Sequence, residues 1–141
     1  MTRTTQAHAR LPGWARTLIT LAVLVIAVLI LIGLLPRAPF STDLSRIGEG
    51  TPALVIARDT NFLAGAQVME LIDPLRPDYD EQVIFLAAHL GHPDGQAFAR
   101  QHELQDGVVI AFDGNGRVLE RLPIPQSADD IRAVLERMSP R

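Results

Sequence analysis

Two histidines three residues apart, His89 and His92, are the first side chains in this sequence with a spacing suited to chemistry. With Asp94, and with His102 or Glu103 further on, they offer imidazole and carboxylate, the donors that hold zinc and related divalent ions. Such a site takes three or four ligands, and no second close pair accompanies this one. A solvated polar loop is the expected reading, with no metal or other cofactor. Asp78, Asp80 and Glu81 form an acidic cluster, but it lacks the later glycine and glutamate of the twelve-residue calcium loop. A solvated turn is expected there. No serine–histidine–aspartate order, phosphate loop or glycine fingerprint occurs. The 141 residues include no cysteine, which removes thiolate catalysis, disulfides and cysteine metal sites.

The elements that must position these residues follow from the pattern of apolar positions. An unbroken apolar run over 53–57 suits a strand buried on both faces. Val68, Leu71, Ile72 and Leu75 fall at i, i+3, i+4 and i+7, which predicts a helix over 61–75. The polar stretch 76–80, with Pro77 in it, reads as a loop and a stop. A second strand is expected over 83–88, a loop over 89–93, a short helix over 94–104 and a third strand over 108–112. Asp113-Gly114-Asn115-Gly116 is a tight-turn signal that leads into a more polar strand over 117–122. Arg117, Glu120 and Arg121 suit a sheet edge. A last helix over 127–138 opens on Ser127 and Asp130, the spacing of a capping box, and buries Ile131, Val134, Leu135 and Met138. The order is β-α-β-α-β-β-α, with the first strands parallel through helical crossovers. In open sheets of this kind, ligands collect beyond the carboxyl ends of the strands. Arg58, Asp59, Thr60 and Asn61 follow the first strand there, and His89 and His92 follow the second. For Asp59, Thr60 and Asn61, helix capping is the expected role, since all three types satisfy free N–H groups.

Ahead of these elements the twenty residues 17–36 carry no charge and hardly a polar side chain. As a helix they would be about 30 Å long, the thickness of a bilayer's hydrocarbon core. A cleaved signal peptide has a shorter apolar region of about 7–15 residues and a small-residue cleavage site. The sequence Leu35-Pro36-Arg37-Ala38-Pro39 is a poor one, so an uncleaved anchor is expected. The division is a polar tail over 1–16, a transmembrane helix over 17–36, a linker over 37–50 and a domain over 51–141. Arg3, Arg10 and Arg16 precede the span, and Arg37 and Arg46 follow it. That bias favours a cytoplasmic N-terminus and an extracytoplasmic domain, periplasmic at a bacterial inner membrane, with the reverse orientation as the alternative. All 16 acidic residues follow Ala38, with 9 of the 13 arginines, so this region carries 9 − 16 = −7. Such a charge repels phosphate backbones, and nucleic-acid binding is not expected.

The element order over residues 51–138 resembles the thioredoxin fold, a mixed four-stranded sheet with flanking helices. Pro74 near the end of the first domain helix, and the run Gly107-Val108-Val109-Ile110-Ala111-Phe112-Asp113-Gly114-Asn115-Gly116-Arg117-Val118, agree with it. The resemblance implies that chemistry would sit in a Cys-x-x-Cys at the start of that helix, with a cis-proline just before the third strand. The equivalent window, Asn61-Phe62-Leu63-Ala64-Gly65-Ala66-Gln67, holds no thiol. No proline occurs between Pro93 and Pro123, and Gly107 or a neighbour takes that place. The implied protein is a redox-inactive member of the fold. Its groove, carried by Arg58, Asp59, Asn61, Ala64, Gln67 and Gly107, is left as a surface for a protein partner of unknown identity. The expected role is accessory or assembly factor on a membrane anchor, not an enzyme. The alternatives are a single-span structural subunit of a membrane complex and a metal-dependent enzyme using His89 and His92.

Overall fold

The computed structural model describes residues 12–34 and 39–139, which divide into two units. The first is helix α1, Gly13–Leu34, the one helix among the described residues long and apolar enough to cross a membrane. None of its apolar window is buried. Its two hydroxyls are satisfied within the helix: Thr17 Oγ1 donates to the Gly13 and Trp14 carbonyls, and Thr20 Oγ1 to the Arg16 carbonyl. Arg3, Arg10, Pro36, Arg37 and Ala38, on which the tail, the end of the span and much of the orientation argument rest, lie outside the described residues.

The second unit is built on a four-stranded sheet in the order β2-β1-β3-β4. Strand β1, Ala53–Arg58, lies inside it, with β2, Ile84–His89, parallel on one side and β3, Val109–Phe112, antiparallel on the other. Strand β4, Val118–Leu122, is an edge, where its charged residues were expected. The apolar run of β1 is explained by two covered faces. Leu54 and Ile56 pack with Val68, Ile72, Ile131 and Leu135, from helices α2, Ala64–Ile72, and α5, Ala128–Met138. Ala53, Val55 and Ala57 pack with Ala99, Leu104 and Phe112 on the side of helix α4, Pro93–His102. The capping box of α5 forms: Ser127 Oγ accepts from the Asp130 N–H at 3.3 Å, and the Asp130 carboxylate accepts from the Ser127 N–H at 3.2 Å.

Several boundaries differ from the sequence reading, each for a local reason. The helix expected over 61–75 begins only at Ala64, because Asp59 Oδ1 accepts from the Asn61 N–H at 2.9 Å and closes a turn of its own. It ends at Ile72: Asp73 keeps helical dihedrals as the C-cap, and Pro74 after it has no N–H to continue the ladder. The stretch 76–80, read as a loop, holds the short helix α3, Arg76–Tyr79. Pro77 stands in its first turn, where a missing N–H is harmless and the fixed φ favours a start. The proline read as a stop is an opening.

The segment read as a linker over 37–50 holds the domain closely from Phe40 onwards. Ser41 bridges Leu86 in parallel, and its carbonyl accepts from the Ala87 N–H at 2.9 Å, on the outer edge of β2. Arg76 lies over the Phe40 ring at 4.4 Å. A 3-10 turn, Leu44–Arg46, is capped by Asp43, which the Ser45 hydroxyl and backbone N–H hold below the usual carboxylate pKa. Gly50 N–H then donates to the Gly114 carbonyl at 2.8 Å.

Candidate functional site

Strands β1 and β2 run parallel, so their carboxyl ends meet at one end of the sheet. The chain leaves β1 at Arg58 and turns through Asp59, Thr60 and Asn61 before α2 begins. Two groups fix this loop. Arg58 Nη1 donates to the Asp59 carbonyl and, at 2.9 Å, to the Phe62 carbonyl. From the other side Asp106, three residues before β3, places Oδ1 2.8 Å from the Asp59 N–H and Oδ2 2.9 Å from the Gly65 N–H. Neither Asp59 nor Asn61 caps α2: its N-cap position is Leu63, with no side-chain bond. The cap comes from Asp106, 41 residues later. A carboxylate on these N–H groups also meets the positive end of the helix.

Gly107 makes the approach possible. Its φ is +85°, and a Cβ there would stand 2.8 Å from Ala64 Cβ. Its N–H donates to the Ala57 carbonyl at 2.9 Å, which lengthens the β1–β3 ladder by one bond. At Gly65 a Cβ would overlap the Asp106 carboxylate. The described residues contain no cis peptide bond, so this corner reaches its shape through glycine.

Over the loop lies a hollow of about 440 Å3, lined by Asp59, Phe62, Ala64, Leu90, Leu104, Gln105 and Asp106. Two large apolar side chains stand out beside it: Phe62 is 61% exposed and Leu63 76%. Of the sequence candidates, Arg58, Asp59, Asn61, Ala64 and Gly107 come together here. Gln67 lies one turn further along α2 and lines a different hollow of about 430 Å3, facing Ile124 and Pro125. Ile124 has φ +36°, an uncommon conformation for a β-branched residue, and is 40% exposed. Ala64 belongs to both hollows.

His89 and His92 face each other edge to face, ring centroids 5.2 Å apart. Among the described residues no group of three or more histidine, cysteine or acidic side chains is arranged to hold a metal. His102 stands elsewhere, against Phe98 and Phe112 with centroids at 4.5 and 5.4 Å. Burial, and then the nearby charge of Arg121, push its pKa below the ordinary 6.5. Arg121 also donates to the His102 carbonyl and to that of Glu103 at 3.2 Å, serving the end of α4.

Sequence reasoning passed over Asp106, Phe62 and Leu63. Asp106 left only a weak signal, an acid before a glycine. Phe62 and Leu63 left a better one, since both fall about 130° away from the stripe of Val68, Leu71, Ile72 and Leu75 at 100° per residue. Large apolar residues off the buried stripe are the ones a fold leaves exposed.

No family model matches this sequence, and no curated protein matches it. Solved structures do match the fold. A thioredoxin from Thermus thermophilus superposes with a TM-score of 0.61 at 10% identity, over 72% of this chain and 87% of that one. Trxlp from Edwardsiella tarda EIB202 gives 0.57 at 15%, over 72% and 97%. Thioredoxin O2 from Arabidopsis thaliana gives 0.56 at 10%, over 68% and 85%. The domain therefore has a thioredoxin-like α/β fold with a mixed four-stranded sheet. Identities this low carry the fold and no activity.

Proposed function

We propose that this chain is a membrane-anchored, redox-inactive thioredoxin-like domain that acts as an accessory factor by binding another protein at the start of α2. The observation that carries the reading is the exposed apolar pair Phe62–Leu63 on a loop held at both ends, beside an open hollow. A loop fixed before binding loses little entropy on docking, and burying two exposed apolar side chains against a partner removes their surface from water. The chain has no thiol for disulfide exchange, and Asp106 occupies the helix N-terminus where an activated anion would otherwise sit. Helix α1 supports the anchor by length and by its internally satisfied hydroxyls.

The test is a photo-crosslinking residue at Asn61 in the full-length chain, illuminated in native membranes, with the products identified by mass spectrometry. One stoichiometric partner, lost when Leu63→Asp is added, is the expected result. Scattered background that Leu63→Asp leaves unchanged would remove the surface from consideration.

A further inference from the structure

We infer that the α2 hollow selects a partner segment in which an apolar side chain is flanked by a basic residue. The inference rests on the reading of this hollow as a docking surface, and it names the chemistry that would fill it.

The floor and wall are apolar: Leu90, Leu104, Ala64 and Phe62. Of the charged side chains lining the hollow, both are carboxylates, Asp59 and Asp106. The nearest cation in sequence, Arg58, is turned onto two carbonyls of the loop, those of Asp59 and Phe62. A helix N-terminus ordinarily attracts an anion, but the Gly65 N–H of α2 already holds the Asp106 carboxylate. The Gly65 donor is therefore taken, and the charge lining the hollow is acidic: Asp59 and Asp106 keep their negative charge while they accept from N–H groups of the loop. The whole region after Ala38 carries −7 and adds a field of the same sign. A second copy of this chain would bring like charge to the same place, so self-association through the hollow is disfavoured. An apolar group with a neighbouring arginine or lysine satisfies both the floor and the rim.

The experiment uses the full-length protein in detergent micelles and fluorescent twelve-residue peptides, read by anisotropy. The peptides share a central Leu-Phe pair and differ only in their flanks: arginine, glutamine or glutamate. The arginine peptide should bind about three- to tenfold tighter than the glutamate peptide, the scale of a few rim charges. That ratio should shrink in high salt. It should also shrink in Asp59→Asn, which keeps the oxygen that accepts from Asn61 but loses the charge. Equal binding of all three peptides, or tighter binding of the glutamate peptide, overturns the charge preference and leaves the docking surface standing. No binding by any peptide up to millimolar concentration overturns both. A charge preference that persists unchanged in Asp59→Asn and in high salt also overturns the assignment, since the discriminating charges would then lie elsewhere.

Discussion

Asp106 joins two segments that are far apart in sequence, and its loss should be felt in both. Replacing it with alanine strips the partners from the Asp59 and Gly65 N–H groups. A lost N-cap alone costs about 0.5–2 kcal/mol, and a second orphaned donor adds to it, so Asp106→Ala should lower stability by about 1–3 kcal/mol. Urea unfolding measures the loss, and hydrogen exchange at Asp59 and Gly65 should speed up more than at the sheet centre. Unchanged exchange at these two amides would deny Asp106 the role of cap. His102 makes a second claim at this scale, through pH. Its pKa is lowered in the folded state, by burial first and Arg121 second. Above the ordinary 6.5 the ring is neutral whether the chain is folded or not. As the pH falls below that value the unfolded chain takes up a proton that the folded chain refuses. Stability is thus lost progressively from about 6.5 down to the folded pKa, and is level below it. In His102→Phe this part of the pH dependence should vanish from melting curves, while a wild-type slope retained in the variant would place its origin in another group.

The elements were legible in the sequence to different degrees, and the differences have physical causes. Buried strands betray themselves, because a strand covered on both faces must be apolar throughout, as 53–57 is. The capping box of α5 was legible because its two partners are three residues apart. The cap of α2 was not, because its donor and acceptor are 41 residues apart and nothing local marks their meeting. The segment before β1 was read from its prolines and glycines as a linker, yet those residues lead a chain that pairs with β2 and meets the 113–117 turn. Its contribution can be measured. Phe40 is half-buried against the α2/α5 side of the core and lies under Arg76. Phe40→Ala should cost about 1–2 kcal/mol, below the loss for a fully buried phenylalanine because part of the ring is already in water. Deleting residues 39–50 should cost more, since it also uncovers the edge of β2. A domain starting at Thr51 that unfolded at the same urea concentration as the longer chain would make the segment a passive tether.

At the scale of the molecule, a helix that is apolar beyond Arg16 and an acidic domain share one chain, and the two need different surroundings. Every large side chain of α1 from Leu18 to Ile32 is about half or more exposed. Left in water, that surface would be an aggregation hazard far beyond the apolar patches soluble proteins tolerate. A bilayer removes the hazard, and so does cleavage. A signal peptide's apolar region runs to about 15 residues, and the apolar stretch of α1 over residues 17–34 would make a helix of about 27 Å. A signal sequence passes the same test of length and composition, however, so the two outcomes are separated by experiment. The anchor therefore predicts that the full chain stays with membranes through an alkaline carbonate wash and leaves them only with detergent. It also predicts that the purified protein keeps its N-terminus, read as intact mass. A mature chain beginning after residue 34 would make α1 a signal sequence and free the domain from the membrane. An intact chain released by carbonate would mean that α1 is covered by protein rather than lipid. The accessory reading would then shift from a tethered domain to one whose helix is itself the principal contact with its partner.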